Sequence, residues 1–284
     1  MQNSSVEDTN FGSISSIRIG DKLVDFSVPL VMGILNVTPD SFYEGSREIS
    51  ISGSIEKAKK MISEGAAILD IGGYSTRPGA DDISIEEEIN RVVPVITALR
   101  SSFPDILISI DTFRGEVAEK AILAGAQIIN DVSGFEIDPS IVSVAARYQV
   151  PYILMHMRGT PATMQSLTEY DHLFKDISLY FSKKIDHLKR AGVKDIILDP
   201  GFGFAKTIEQ NHELLRKMEG FHLFDLPILA GLSRKSMIYK KLGIKPEEAL
   251  NGTIALNAIA LSKGASILRV HDVKEAVELV NLLK

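Results

Sequence analysis

The chain contains no cysteine. Disulfide bonds, zinc sites with thiolate ligands and catalysis by a thiol are therefore excluded. No apolar run approaches the ~20 residues that a membrane-spanning helix needs. The N-terminus, MQNSSVEDTN, is polar and acidic, whereas a secretory signal begins with basic residues and continues with apolar ones. These absences predict a cytoplasmic protein that does not bind a membrane.

A surplus of basic residues is missing as well. The formal net charge is -6 at pH 7, from 37 acidic and 31 basic residues. Nucleic-acid binding needs a basic surface that neutralises phosphates, so a nucleic acid is not the expected partner. A cationic pocket inside an acidic protein remains compatible with this balance. Hydrophobic residues make up 45% of the 284 residues, enough for a large buried core.

From residue 30 onward, short apolar runs alternate with segments of helical periodicity. Eight of these runs are candidate strands. They are Leu30–Asn36, Ala67–Ile71, Ile106–Asp111, Gln127–Asp131, Tyr152–His156, Asp195–Asp199, Pro227–Ala230 and Ser266–Val270. Eight strands with intervening helices, within ~250 residues, are what a closed (β/α)8 barrel, or TIM barrel, requires. The sequence therefore predicts an α/β protein with a single barrel domain over residues 13–284.

The N-terminal part has a different pattern. Residues 1–12 are predicted to be a frayed tail. Residues 13–27 are predicted to form a short hairpin, because Ile14, Ile17 and Ile19 alternate before a turn at Gly20 and Asp21. We expect this hairpin to plug one end of the barrel.

The stretch 195–206 shows a pattern that recurs along the chain. Its apolar run ends on Asp199 and turns through Pro200, Gly201 and Gly203. An Asp-Pro-Gly turn can satisfy its own aspartate with backbone N–H groups, so this stretch alone leaves a structural role open. Every other predicted strand also ends on polar or small residues. Because barrel enzymes build their active sites at the C-terminal ends of the strands, the full set indicates a functional site.

Arg269 and His271 are the clearest candidates for an anion site. They are two residues apart on the last strand and so project to the same face. The segment Ser233–Lys235 follows the seventh strand, and barrels commonly bind phosphate beside these two strands. Without further information, a barrel enzyme acting on a phosphosugar would be the interpretation of this pair.

Asp111, Asn130 and Asp199 suit a different ligand. Together they offer donors and acceptors for a nitrogen heterocycle that has an amino and a carbonyl edge. A carboxylate accepts two parallel N–H bonds from an aminopyrimidine, as it does from a guanidinium group. The sequence therefore predicts a heterocycle site next to an anion site.

For several other polar residues, both a structural role and a role in the site remain open. Asp40 and Asp70 could be cap or turn carboxylates, and His156 could be a satisfied histidine at a strand end. Arg158 could be an exposed charge, and Thr76 with its neighbour Arg77 could form a surface turn.

The motifs at the strand ends resemble those of the dihydropteroate synthase family, enzymes of the folate pathway, from about Leu30 to the end of the chain. The matching stretches are 32–42 (MGILNVTPDSF), 70–80 (DIGGYSTRPGA), 109–113 (SIDTF), 130–134 (NDVSG), 155–157 (MHM), 198–206 (LDPGFGFAK), 233–236 (SRKS) and 269–273 (RVHDV). One departure lies in the first loop, where Tyr43, Glu44 and Gly45 stand in place of the usual Ser-Asp-Gly.

The resemblance implies a TIM barrel that joins 4-aminobenzoate to 6-hydroxymethyl-7,8-dihydropterin diphosphate. Pyrophosphate leaves in this reaction, Mg²⁺ is the implied cofactor, and a homodimer is the implied assembly. The implied pterin-binding residues are Asp111, Asn130, Met155, Asp199, Gly231 and Lys235. The implied diphosphate-binding residues are Thr76, Arg269 and His271, with Asn36 as the Mg²⁺ ligand. The implied 4-aminobenzoate pocket consists of Arg77, Pro78, Phe204 and Ser233. Catalytic roles are implied for Asp111, Lys235, Arg269 and His271.

Two alternatives share the pterin site. A pterin-binding methyltransferase domain has the same barrel but no diphosphate to bind, so Arg269, His271 and the Ser-Arg-Lys segment favour the synthase. A non-catalytic pterin-binding relative would be supported by the loss of Asn36 or Arg269, and both residues are present.

Overall fold

The structure, a computed structural model, describes residues 16–37, 47–75, 82–160 and 163–284. It begins with an antiparallel hairpin of strands β1 (Ser16–Ile19) and β2 (Lys22–Asp25). Eight parallel strands follow, and helices connect them. The strands are β3 (Leu30–Asn36), β4 (Ile68–Gly72), β5 (Leu107–Asp111), β6 (Ile128–Asp131), β7 (Tyr152–Met155), β8 (Ile196–Asp199), β9 (Leu229–Ala230) and β10 (Ile267–Val270). Each lies within two residues of its predicted bounds, so the predicted strands are confirmed.

The eight strands close into a barrel. Their order in the sheet is β8-β7-β6-β5-β4-β3-β10-β9. The two outer strands then meet through a parallel bridge between Leu198 and Ile228. The Leu198 N–H also donates to the Pro227 carbonyl at 2.9 Å. The predicted (β/α)8 architecture is therefore confirmed, with the predicted hairpin beside it.

Helices surround the barrel and pack apolar faces on it. They are α1 (Arg47–Ser63), α2 (Ile85–Ser102), α3 (Gly115–Ala124), α4 (Ser140–Tyr148), α5 (Leu173–Arg190), α6 (Ile208–Arg216), α7 (Ser236–Leu242), α8 (Leu250–Ser262) and α9 (Val273–Leu282). In α5 the buried residues include Ile177, Phe181 and Ile185, which recur at helical spacing. Among the described helices, none has the length and apolar character needed to cross a bilayer.

The N-terminal end of the barrel is filled by apolar side chains. Each strand contributes one buried residue to this bottom layer: Met32, Ile68, Leu107, Ile128, Ile153, Ile197, Leu229 and Ile267. Ile17 and Ile19 of β1 belong to the same buried cluster. The hairpin therefore closes the bottom of the barrel, as predicted.

This plug should contribute strongly to stability. We expect Ile19→Ala to lower the free energy of unfolding by about 2–5 kcal/mol, because it removes a fully buried side chain from a closed layer. Leu23→Ala on the same hairpin is the matched control. Leu23 is 75% exposed, so its loss should change stability by less than about 0.5 kcal/mol. Urea denaturation measures both values, and equal effects would contradict the plug.

Candidate active site

Above the apolar bottom layer, the barrel interior becomes polar. Side chains two residues apart on a strand share a face, so each strand places a second inward residue above the first. This second layer consists of Ile34, Asp70, Ser109, Asn130, Met155, Asp199, Gly231 and Arg269. It contains five of the residues predicted to bind a pterin or a diphosphate. A polar layer above an apolar one is what a binding site at the C-terminal mouth requires.

Arg269 is held between two carboxylates, Asp70 of this layer and Asp111, which lies two residues beyond Ser109 on β5. Its Nε donates to Asp70 Oδ2 at 2.5 Å, and its Nη2 donates to Asp111 Oδ2. The Asn130 amide also donates to Asp70 Oδ2, at 3.0 Å. Burial raises the pKa of Asp111, against the opposing effect of the Arg269 charge. The predicted heterocycle and anion sites are therefore parts of one network.

Three atoms of the layer are left without partners. Within the described part of the chain, Asp70 Oδ1, Ser109 Oγ and Asn130 Oδ1 are buried and form no hydrogen bond. A buried polar atom without a partner costs free energy, so proteins normally pair such atoms. A ligand with complementary N–H and C=O groups would satisfy them. The sequence left Asp70 as a possible cap and did not single out Ser109 as a site residue.

Asp199, Lys235 and Gly231 border one small space. A methyl group built on Gly231 would lie 3.5 Å from Lys235 Nζ and 3.9 Å from Asp199 Oδ2. Glycine therefore leaves this space open between an acceptor and a donor. Burial raises the pKa of Asp199, and burial lowers the pKa of Lys235 to about 8. Each group would gain from a ligand that supplies the hydrogen bonds lost with water.

Asn36 and Asp111 meet above Gly72, the last residue of β4. A methyl group built on Gly72 would lie 3.5 Å from Asn36 Oδ1 and 3.8 Å from Asp111 Oδ2. The two oxygens therefore face a common space on the side of the barrel where Asp111 contacts Arg269. Asn36 is exposed, so this space opens to solvent.

His271 is oriented by Ser233. The Ser233 hydroxyl lies 3.0 Å from His271 Nδ1 and accepts the His271 backbone N–H at 3.2 Å. Arg234 has a different task, because its guanidinium donates to both oxygens of Asp272, at 2.7 and 2.9 Å. It also donates to the Glu247 carbonyl at 2.8 Å. Arg234 thus ties the start of α7 to the start of α9, which leaves Arg269 and His271 as the predicted anion-binding pair.

The glycine-rich loop after β8 is held by a buried lysine. Lys206 Nζ donates to the carbonyls of Gly201 and Phe204, at 2.9 and 3.0 Å, and lies 3.0 Å from His156 Nδ1. Gly201 has a φ of +69°, and a Cβ there would lie 2.0 Å from the His156 carbonyl oxygen. This shape places the centre of the Phe204 ring 5.0 Å from Lys235 Nζ.

Asp199 accepts the Gly201 N–H at 2.7 Å, so its own turn satisfies one of its two carboxylate oxygens.

Of the remaining predicted residues, one lies in the described part of the chain and the others do not. Met155 is buried in an apolar cluster with Phe113 and Phe204 at the mouth of the barrel. Thr76, Arg77 and Pro78 lie outside the described residues, as does Asp40.

The comparisons with known proteins point to one family. Residues 32–271 match the family described as pterin binding enzyme. The dihydropteroate synthase of Escherichia coli is 45% identical over 263 residues, which cover 92% of this chain and 93% of that protein. The enzyme of the same name from Synechocystis is 48% identical over 267 residues, covering 93% and 92%.

Solved structures give the same result. The Yersinia pestis dihydropteroate synthase, in complex with a sulfonamide drug, has a TM-score of 0.89 at 42% identity, covering 94% of this chain and 98% of that one. The Xanthomonas albilineans enzyme, solved with 4-aminobenzoic acid, has a TM-score of 0.87 at 36% identity, covering 95% and 97%.

The barrel, its polar mouth and the family match define a pterin-binding barrel enzyme. The close relatives narrow this class. The chain belongs to the dihydropteroate synthase family, which comprises transferases of folate synthesis. The resemblance seen in the strand-end motifs is confirmed.

Proposed function

We propose that this chain condenses 6-hydroxymethyl-7,8-dihydropterin diphosphate with 4-aminobenzoate, giving 7,8-dihydropteroate and pyrophosphate, and that the polar layer of the barrel binds the pterin. The observation that carries this assignment is the set of unpartnered buried atoms on Asp70, Ser109 and Asn130. Asp199 and Lys235, whose pKa values are shifted by burial, belong to the same proposed pterin site.

The pterin edge fits this layer chemically. Asp199 Oδ2 would accept N–H bonds from the aminopyrimidine, since its Oδ1 already accepts the Gly201 N–H. Asn130 Oδ1 would accept a further ring N–H group. Lys235 Nζ would donate to the pterin carbonyl across the space above Gly231. Placing the ring in this way would satisfy Asn130 Oδ1, a buried atom that the described part of the chain leaves unpaired.

Arg269 and His271 would stabilise the leaving group. In the reaction the CH2–O bond of the pterin breaks, and its electron pair leaves with the pyrophosphate oxygen. The amine nitrogen of 4-aminobenzoate forms the new C–N bond with that carbon and then releases a proton. The fixed charge of Arg269 and a hydrogen bond from His271, placed where negative charge develops, would lower the barrier, and an arylamine is nucleophilic enough to need no strong base.

The residues around Asn36 fit a magnesium ion of which most ligands are supplied by water and by the substrate. In the described ranges, no group of three or more His, Asp or Glu side chains is placed to hold a metal ion. Mg²⁺ is commonly bound by one or two protein oxygens together with substrate phosphates. Asn36 Oδ1 and Asp111 Oδ2 would be those oxygens. When bound, the ion would neutralise charge on the diphosphate.

Asn36→Ala should distinguish the binding of the diphosphate from the binding of the pterin ring. We expect the variant to bind pterin diphosphate about 10-fold to 100-fold more weakly in the presence of Mg²⁺, because one of few ion ligands is lost. Binding of the bare pterin should stay nearly unchanged. Calorimetry with and without Mg²⁺ measures both, and equal loss for both ligands would argue against a metal ligand at Asn36.

Lys235 should give pterin binding a pH dependence. Burial lowers the pKa of this lysine to about 8, so the ammonium group loses its proton above that pH. Pterin affinity should therefore fall as the pH rises through about 8, because a charge-assisted hydrogen bond is lost. In Lys235→Met this fall should be absent, while the ligand's own titration is common to both proteins. Bare-pterin titrations at several pH values compare the two, and parallel profiles would exclude Lys235 as the donor.

The activity is tested by following 7,8-dihydropteroate by mass spectrometry, omitting one substrate at a time. Product should require both substrates. Transfer of a methyl group from a methylated pterin, without product from the two substrates, would support a pterin-binding methyltransferase instead.

We further propose that sulfonamides compete with 4-aminobenzoate, as arylamine mimics, and that the enzyme works as a homodimer in the cytoplasm. The sulfonamide complex of the Yersinia pestis relative supports the first proposal. The family resemblance supports the assembly, and the sequence's lack of a long apolar run is compatible with the location.

A further inference from the structure

A buried cluster next to the pterin site takes no part in the chemistry above. At its centre is Glu88 in the first turns of α2, whose side chain is fully buried. The Thr112 hydroxyl donates to Glu88 Oε1 at 2.7 Å, and Arg114 Nη1 donates to Glu88 Oε2 at 2.9 Å. The Arg114 backbone N–H donates to Thr112 Oγ1 at 3.2 Å. Thr112 directly follows Asp111, so the cluster is connected to a predicted pterin ligand.

The other face of Arg114 contacts the connection between β4 and α2. Its Nη2 donates to Asp82 Oδ1 at 3.2 Å. Its Cζ lies 5.2 Å from the ring centroid of Tyr74 and 5.2 Å from that of Phe113. The two rings meet edge to face at 5.0 Å. Tyr74 and Asp82 lie on the two described flanks of the connection, so one guanidinium joins both flanks to the end of β5.

The rings held by Arg114 belong to the rim of the site. Tyr74 and Phe113 pack in the apolar cluster that includes Met155, Met157 and Phe204 at the barrel mouth. The arylamine must approach the pterin CH2 group from outside the polar layer. An aromatic acid in that position would therefore contact this apolar rim.

The position of the ion pair argues for more than stability. A buried ion pair is weak evidence for stabilisation, since an apolar replacement often serves as well. Arg100 is a comparable arginine at the other end of α2. Its guanidinium donates to the carbonyls of Pro104, Ile106 and Gly125, at 2.7 to 3.0 Å, far from the mouth. Arg114 instead donates from Nη1 to the buried Glu88 carboxylate and from Nη2 to Asp82 at the rim.

We propose that Arg114, anchored on Glu88, is a positioning residue that fixes Tyr74, Phe113 and Asp82 at the rim relative to Asp111, and that recognition of 4-aminobenzoate depends on it. This inference rests on the proposed function. It assigns Arg114 no contact with the reacting atoms.

Two variants test it. Arg114→Lys keeps a cation for Glu88 but replaces the planar fork by a compact ammonium, and we expect the KM for 4-aminobenzoate to rise by about tenfold. Asp82→Ala removes an exposed carboxylate, with little risk to folding, and should raise that KM by about threefold. The Kd for pterin diphosphate should stay within about twofold in both variants, because the polar layer is untouched.

The matched controls are Arg100→Lys and Asp105→Ala. Asp105 is an exposed carboxylate paired with Lys22 at the bottom of the barrel, as Asp82 is with Arg114 at the rim. Both controls should leave the KM for 4-aminobenzoate unchanged, whatever they do to the melting temperature.

A purely structural Arg114 would give a different pattern. Arg114→Lys and Arg100→Lys would then have the same effect on the KM for 4-aminobenzoate. Alternatively, Arg114→Lys would weaken the binding of 4-aminobenzoate and of pterin diphosphate by the same factor. Either result would overturn the proposal. Wild-type enzyme in the same assay first shows whether product needs both substrates. Failure of that control would count against the proposed function itself, independently of Arg114.

Discussion

Replacing Arg269 by methionine is expected to lower kcat/KM for pterin diphosphate by about 10²- to 10³-fold, because a fixed cation is lost where the pyrophosphate charge develops. The change also leaves Asp70 and Asp111 buried beside each other without their cation. Breaking a buried ion pair in this way costs about 3–5 kcal/mol of stability. Steady-state kinetics and thermal unfolding measure the two effects.

Arg269→Lys keeps the positive charge and distinguishes the two contributions. A lysine cannot donate to both carboxylates in the forked geometry of Arg269, so intermediate activity is expected. Arg234→Lys is the control, because Arg234 makes a similar forked contact with Asp272 away from the polar layer. It should lower stability with little change in kcat/KM. An Arg269→Met enzyme with nearly normal kcat/KM would contradict the assignment of the anion site.

Asp199→Asn is expected to weaken pterin binding by about 10-fold to 100-fold, equivalent to about 1–3 kcal/mol. With one oxygen still accepting the Gly201 N–H, the amide presents its NH2 group where the aminopyrimidine needs the acceptor Oδ2. The loss should be the same for the bare pterin and for pterin diphosphate, in contrast to Asn36→Ala. Fluorescence titration with each ligand measures this.

Asp195→Asn is the control for that experiment. Asp195 precedes β8 at the opposite end of the strand, where its carboxylate accepts the Arg18 backbone N–H at 3.4 Å. Its replacement should leave pterin affinity unchanged. Normal affinity in Asp199→Asn would mean that Asp199 serves only its own turn through the Gly201 N–H.

The barrel could be predicted because each strand has a clear local signal. Strands buried on both sides are continuous apolar runs, and each ends where a polar or glycine-rich turn begins. Leu30–Asn36 has the predicted bounds, and the predicted Tyr152–His156 ends one residue earlier, at Met155. The polar strand ends could be predicted for the same reason, since parallel strands bring their C-terminal ends to one face.

The pairing within the site could not be predicted in the same way. Asp70 pairs with a residue 199 positions away in the chain, Arg269, and this contact exists only because the barrel closes. Arg234 stood next to the predicted phosphate site in the sequence, yet Asp272 binds it 38 positions later. A local sequence pattern does not show which arginine a carboxylate elsewhere in the chain will bind, because the pairing depends on how the barrel brings distant segments together.

The most direct test of the pterin site is a crystal structure with 6-hydroxymethylpterin diphosphate and Mg²⁺. We predict that the pyrimidine edge contacts Asp199 and Asn130, and that Arg269 contacts the diphosphate. A diphosphate bound away from Arg269 and His271, or a pterin ring outside the polar layer, would contradict the account.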